Sequence, residues 1–432
     1  MAARQARIVH LAVADGRGHL MRAHLLRRLL ANRGIAVDVV TTSRAGRRFL
    51  AGLGTPAAVL PGGFEVAFDG QHHMLAATTD RRLAAYIASP WRLGRDAAML
   101  RRLSRGALLV VNDSLHPAAL LLAGLGDRWG ARVVHLHGDG LWRAAVSHFD
   151  ARLPAWASAG YRRLLAALRA RAFGCVEHSL AAADHAGVTL APTRFRLPPL
   201  VRPPRRARAA VRRALGLAPG ERLATIYLNP HFRDPRLAAD LEAALARAGF
   251  RFYGVSEPWA GRPGWRPFDA ELGDVIAASD LFISGAGMAA LEQARCAGVP
   301  LLALVGDQPE QALNIDQAAA AGLALCAVDA GAPAQLAPAL DALAAAGGPR
   351  RRHPHPHAAV RRLWKDVLLS LAAITKEEAH EDADRSETTD DRPDHRDQQP
   401  RGRWRRRRER RAQPHPPARA AAGADAAAGV AG

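Results

Sequence analysis

Residues 274–322 read DVIAASDLFISGAGMAALEQARCAGVPLLALVGDQPEQALNIDQAAAAG. A short apolar run, 281–284, enters the small-residue turn Gly285-Ala286-Gly287, and a helical pattern follows over 288–297 until Gly298. A second apolar run, 299–305, ends in the polar loop Gly306-Asp307-Gln308-Pro309-Glu310-Gln311. Strand, glycine turn and helix start together place free backbone N–H groups and a positive helix end at one spot, which suits a diphosphate. Two such loops in succession, at the carboxyl ends of adjacent strands, make a crevice for a nucleotide-linked ligand.

Outward from this stretch the same alternation repeats. Residues 7–13 read as a strand, 18–32 as a helix and 36–42 as a strand, with further strands at 107–111 and 131–135. Beyond a proline- and arginine-rich stretch, 191–207, it resumes with a strand at 222–228, a helix at 237–248 and a strand at 251–255, and runs to about 328. Such alternation predicts α/β architecture: two doubly wound, Rossmann-like domains, each a parallel sheet covered by helices on both faces. The expected division is 1–192 for a first domain, 193–207 for a linker, 208–375 for a second domain, and 376–432 for a tail. Two domains suit 432 residues, and a hydrophobic share of 49% is enough for two cores. The tail mixes charge runs, proline and Ala-Gly repeats, a composition that cannot offset ordering entropy, so order is expected to end beyond Lys376.

Three scattered cysteines, Cys175, Cys296 and Cys326, lack metal-ligand spacing and argue for a reducing compartment. The apolar run near the start is too short for a signal sequence, and no stretch approaches the ~20 apolar residues of a spanning helix. A cytoplasmic protein is expected, with peripheral contact at the inner face of the membrane as an added option. The net charge of +20 comes almost wholly from arginine, Lys365 and Lys376 being the only lysines. A basic surface favours anionic lipid or nucleic acid; a solvated arginine-rich surface is an equal reading, and no specific nucleic-acid partner is expected. A basic amphipathic stretch, 161–173, reads either as a membrane-surface helix or as an ordinary packed one.

Four loops carry residues suited to chemistry. In Asp15-Gly16-Arg17-Gly18-His19, Gly16 and Gly18 permit a tight turn and close ligand approach, and Arg22 lies one turn on, beside His19. His19 is the one neutral base near pH 7 in that loop. Asp113 follows the strand 107–111; it can orient His19, hold an acceptor hydroxyl, or cap the helix near Pro117. His135, His137 and Asp139 end the next strand; their spacing allows a metal, which ranks low. Asn229, after the strand 222–228, can donate to phosphate or simply form a turn.

The features S-x-A-G (284–287), an acidic or amide residue on the next helix, A-G-V-P (297–300), and E-Q-x-x-N at Glu310, Gln311 and Asn314 resemble the donor half of GT-B glycosyltransferases. The likeness is greatest to family 28, which includes the lipid-linked N-acetylglucosaminyltransferase of peptidoglycan synthesis, and to related bacterial and archaeal proteins. The 16–22 loop resembles that family's G-x-G-H-x-x-R. The resemblance implies a GT-B fold facing one cleft, with a C-terminal helix at 358–373 crossing back to the first domain. It also implies a hexosyl-type transfer from a nucleotide-diphosphate sugar to an acceptor hydroxyl, with inversion. His19 would be general base, aided by Asp113, and Gly16, Gly18, Arg22 and His137 would meet the acceptor. Asn229, Ser284, Gly285, Gly287 and Met288 would hold the diphosphate. Phe268 would read the base, Glu292 or Gln293 the ribose, and Glu310, Gln311 and Asn314 the sugar. No cofactor or metal is implied; a UDP-sugar is the foremost co-substrate, and the acceptor is a small molecule or a lipid. The ribose residue is ambiguous because the position that matches the family's glutamate falls on Gln293, one residue after Glu292, and adjacent helical residues point ~100° apart. That departure keeps two rivals open: a non-catalytic sugar-nucleotide or lipid-binding protein, and a nucleotide-sugar epimerase or hydrolase.

Overall fold

The computed structural model describes residues 5–126, 132–150, 153–181, 187–345 and 356–387. The first sheet contains β1 (Arg7–Ala12), β2 (Ala36–Thr41), β3 (Ala57–Val59), β4 (Leu109–Asp113), β5 (Val133–Gly138), β6 (Gly174–His178), β7 (Val188–Ala191) and β8 (Arg194–Leu197). Its order is β3-β2-β1-β4-β5-β6-β8-β7, parallel except for the antiparallel β7–β8 pair at one edge. The second sheet contains β9 (Arg222–Tyr227), β10 (Phe250–Val255), β11 (Trp265–Arg266), β12 (Leu281–Gly285), β13 (Leu301–Val305) and β14 (Leu325–Asp329), in the order β11-β10-β9-β12-β13-β14 and parallel throughout. Central strands such as β4 and β5 are buried along their whole length, as parallel strands covered on both faces must be.

The first half's helices are α1 (Arg17–Ala31), α2 (Arg44–Gly52), α3 (Ala76–Ile87), α4 (Pro90–Ser104), α5 (Pro117–Leu125), α6 (Asp139–Ser147) and α7 (Ala155–Ala170). Those of the second are α8 (Arg208–Ala214), α9 (Pro235–Arg247), α10 (Leu272–Ala278), α11 (Met288–Ala297), α12 (Gln311–Ala320), α13 (Leu336–Ala345) and α14 (His357–Glu387). Local chemistry sets several ends. Asp234 caps α9 ahead of Pro235, and Gly298 ends α11 at φ 62°, a left-handed conformation that favours glycine.

The last helix returns to the first sheet. Val360, Trp364, Val367, Leu368 and Leu371 of α14 pack into the core formed by β1, β4, β5, β6 and β8. Trp364 is fully buried, and its indole N–H donates to the Pro198 carbonyl at 2.9 Å. Truncating such a side chain costs about 3–5 kcal/mol.

Two boundaries differ from the sequence reading. Residues 194–197, placed in the linker, form β8 of the first sheet, with Phe195 and Leu197 turned inward. The connection therefore begins after Leu197. It is fastened to the second half by arginines, Arg202 binding Glu271 and Arg206 binding Asp274, and α8, which follows, binds Asp280 through Arg208 and Arg212. Helix α14 is described as far as Glu387, inside the segment assigned to the tail. The rest of the predicted tail, 388–432, and most of the histidine run 353–357 lie outside the described residues. No helix among the described residues is long and apolar enough to cross a membrane.

Candidate active site

In a parallel sheet the strand order reverses at one place, and the loops at the carboxyl ends of the two strands there diverge to leave a crevice. The first sheet reverses between β1 and β4, the second between β9 and β12. At those carboxyl ends stand His19, in the first turn of α1 after β1, and Asp113, the last residue of β4; the β9 and β12 ends lead into Asn229 and Gly287. The two crevices face each other. A Cβ added to Gly18 would lie 3.2 Å from the Ala289 side chain, and one added to Gly138 would lie 3.0 Å from that of Met288.

Asp113 is completely buried and His19 partly so; His19 Nδ1 lies 2.8 Å from Asp113 Oδ1. Arg22 does not turn toward an acceptor as expected. It is buried, donating from Nε to Asp113 Oδ2 at 2.8 Å and from Nη2 to Oδ1 at 2.8 Å. The cause is its place one turn beyond His19, on the helix face toward β4. Burial works to raise the Asp113 carboxyl, but Arg22, His19 and His10 outweigh it and hold the group well below the usual range. The tautomer of His19 follows. Arg22 Nη2 also lies 2.9 Å from His19 Nδ1, but a guanidinium has only donors and a carboxylate only acceptors. Nδ1 cannot accept from one while donating to the other. The ionised Asp113 accepts the hydrogen bond of Nδ1–H, which leaves the ring's lone pair on Nε2.

Ser114, absent from the sequence reading, lies against this ring. Its Oγ is 2.8 Å from Nδ1 and 2.9 Å from Nε2, so it sits over the ring between the nitrogens and in line with neither. Ser114 and Leu115 have φ of 88° and 58°, strained values for residues with side chains. Other expected acceptor contacts are redirected. His137 is fully buried between β5 and β6: Nε2 is 3.4 Å from Cys175 Sγ, the ring stacks on Trp142, and burial pushes it down to about 4. A strand-end residue whose side chain points into the sheet's packing cannot face the cleft. Asp139 accepts from Ser179 Oγ at 2.9 Å and Gln317 Nε2 at 2.5 Å, joining the two halves. No group of His, Cys, Asp and Glu suited to a metal ion occurs among the described residues.

On the donor side, Gly287 caps α11 with no side-chain hydrogen bond, and a Cβ there would meet open space. Ser284, expected to cradle phosphate, instead donates its hydroxyl to the Tyr227 carbonyl at 2.8 Å, tying β12 to β9. Gly285 ends β12, and Met288 packs against His178. Glu292 and Gln293 point to different surroundings. Glu292 is buried and accepts from Arg295 at 2.8 Å through both oxygens, whereas Gln293 borders the cleft cavity and donates to the Arg202 carbonyl at 3.2 Å. Gln311, expected to read sugar, accepts from Gly306 N at 2.9 Å and so braces its own loop. Asn314 donates to the Ala286 carbonyl at 3.3 Å, while its Oδ1 and that of Asn229 are buried without a partner. Glu310 is partly buried; burial raises its carboxyl, and the nearby His19 opposes that rise.

Between the halves lies a cavity of about 300 Å3. Its walls include Tyr227, Ile276, Phe268 and Gln293 from the second half and Arg17, Arg48 and Phe49 from the first. Phe268, the expected base-reading residue, stands on this wall.

No family model matches the sequence, and no curated protein matches it. Solved structures do match. The glycotransferase of kitacinnamycin aligns with a TM-score of 0.50 at 17% identity, over 87% of this chain and 99% of its own. The spinosyn rhamnosyltransferase SpnG complexed with thymidine diphosphate gives 0.50 at 17%, over 86% and 100%. A UDP-glucosyltransferase from Polygonum tinctorium gives 0.50 at 15%, over 88% and 99%. The fold is GT-B. What these proteins share with the chain is that GT-B fold, and within it the His19–Asp113 pair and the Gly287 helix start stand on opposite walls of the cleft.

Proposed function

We propose that this protein is a glycosyltransferase that moves a sugar from a nucleoside-diphosphate sugar to an acceptor hydroxyl with inversion. The observation that carries the reading is the juxtaposition across one cleft: a histidine oriented by a buried carboxylate on one wall, and the uncapped start of α11 on the other. His19 Nε2 takes the proton of the acceptor hydroxyl as its oxygen attacks the anomeric carbon. The bond from that carbon to the phosphate oxygen breaks, and the nucleoside diphosphate departs from the opposite face. Asp113, receiving the Nδ1 proton in its hydrogen bond, stabilises the imidazolium that forms. Negative charge growing on the leaving phosphate is met by the N–H groups at the start of α11. Gln293, on the cavity wall, takes the ribose hydroxyls in this reading, and the donor is a UDP- or dTDP-sugar.

Incubating the full chain with UDP- and dTDP-sugars and an acceptor panel, and measuring nucleotide release, tests the proposal. Release that requires an acceptor and falls in the His19→Ala variant is expected. Release without acceptor would make the protein a hydrolase, and binding without release a sugar-nucleotide receptor. A lipid-linked acceptor, as the family 28 resemblance implies, is the narrower reading. It is supported by Trp156 and Leu164 of α7, 79% and 56% exposed, with Arg163 exposed beside Leu164. Cosedimentation with anionic but not neutral vesicles, lost on Trp156→Ser with Leu164→Ser, is the expected result.

A further inference from the structure

The cavity between the halves has an aromatic wall on each side, and only one of them was legible as part of a donor site. Phe268 follows β11 in the second half. Phe49, on α2 of the first half, meets it edge to face, with centroids 5.5 Å apart and planes at 87°. Phe49 is held from behind: the Arg17 guanidinium lies over its ring at 4.7 Å, and Arg17 in turn reaches Glu257 of the second half at 3.3 Å. Space beside Phe268 is fixed as well, since a Cβ on Gly52, one turn along α2 from Phe49, would lie 3.1 Å from the Phe268 ring. The rings are perpendicular, so a planar base lying on one meets the edge of the other, an arrangement aromatic groups favour.

We infer that Phe49 forms the second wall of the nucleobase site, so that both halves of the protein, and not the second alone, bind the nucleotide. This rests on the donor-cleft reading given above. Phe49 and Gly52 of α2 already stand against Phe268, so a base seated at the two rings bridges the halves and holds the cleft, with His19, in its present arrangement. Apolar contacts cover both pyrimidine diphosphates alike, so the wall confers affinity for a planar base more than choice between uracil and thymine.

Titration calorimetry with UDP and with dTDP, on the full-length parent and on Phe49→Ala, Phe49→Leu and Phe268→Ala, tests this. Phe49→Leu keeps an apolar side chain for packing but removes the ring, and melting curves check that each variant is folded. Loss of a base-on-ring contact lowers affinity by roughly tenfold to a hundredfold. The expected result is that loss in all three variants. Weakened binding in Phe268→Ala with parental affinity in both Phe49 variants would overturn the inference while leaving the donor site where it is. Parental affinity in all three, or no binding of either nucleotide by the parent, would overturn the donor-cleft reading and this inference with it.

Discussion

Asp113 is buried with a donor at each of its accepting positions: His19 and Arg22 on Oδ1, Arg22 and His10 on Oδ2. Removing one partner of such a pair leaves a buried charge unpaired. Arg22→Met should therefore cost about 3–5 kcal/mol in urea unfolding, whereas breaking the exposed Arg162–Asp150 pair should cost under about 1 kcal/mol. Similar losses for the two would contradict the buried network. His19→Ala should lower kcat by roughly 10²–10⁴-fold with donor affinity near that of the parent; His19→Gln should not restore the rate, because an amide cannot take the proton, and a fully active Gln variant would reduce His19 to a binding or capping role. Asp15 offers a test by pH. Burial, then the Glu65 charge, push its carboxyl from 3.8 up to about 6. An acid with a raised folded pKa contributes stability in its protonated form: the contribution is complete below 3.8 and is lost as pH rises through about 6. Asp15→Asn should thus melt close to the parent at about pH 3.5 and above it at about pH 7.5; an equal offset at both would exclude this role. Residue type and position beside a strand end singled out His19 and Asp113 in the sequence, and the fold brings their side chains together at 2.8 Å. The sequence could not show where Arg22, His137 and Gln311 point, since each is redirected by a partner that only tertiary packing supplies. Nor could it show the strained non-glycine turns at His72, Ser114, Leu115 and Asp307.

Helix starts carry the next level of the account. Helices α2, α4, α5 and α9 accept side-chain caps from Ser43, Ser89, His116 and Asp234; among the helices without one, α1, α6 and α11 begin at the glycines Gly16, Gly138 and Gly287. These three uncapped starts meet at the cleft, through the Gly18–Ala289 and Gly138–Met288 approaches. The first N–H groups of α1 and α11 remain for an anion, whereas at α6 the Gly140 N–H donates to Asp139 Oδ1 at 2.8 Å. Gly287 has an extended backbone, φ −76° and ψ 142°, that any residue adopts, and its Cβ position is open, so substitution there probes ligand and not fold. Gly287→Asp should cap α11 and leave the unfolding free energy equal or higher by about a few tenths of a kcal/mol. It should also abolish nucleoside diphosphate binding, because the new carboxylate occupies the phosphate position. Parental nucleotide affinity in that variant would refute the phosphate assignment. At this scale the alternation of strands and helices was plain in the sequence, since fully buried parallel strands read as apolar runs. The β7–β8 edge was not: Arg194-Phe195-Arg196-Leu197 does alternate, but it is four residues long and runs into Pro198-Pro199.

Across the whole molecule the two halves are held together on several sides of the cleft. Arg17 pairs with Glu257, Phe49 packs on Phe268, Gln317 donates to Asp139, and the segment after β3 reaches over to the second half, where Phe68 stacks on His231 and His73 bonds Asp329 at 2.8 Å. None of these partners is near in sequence, which is why the cleft's existence could be expected and its contacts could not. A ligand held between the halves must stabilise their closed arrangement, and with it the fold. A melting-temperature screen of the full chain against UDP, dTDP and other nucleoside diphosphates tests the donor cleft most directly. At about 100 times its Kd a ligand of the native state adds about 2.7 kcal/mol. The account predicts a clear rise in Tm with a pyrimidine nucleoside diphosphate, absent with the free nucleoside and absent in Gly287→Asp. No rise with any nucleoside diphosphate, or the same rise in the Gly287→Asp variant, would contradict it.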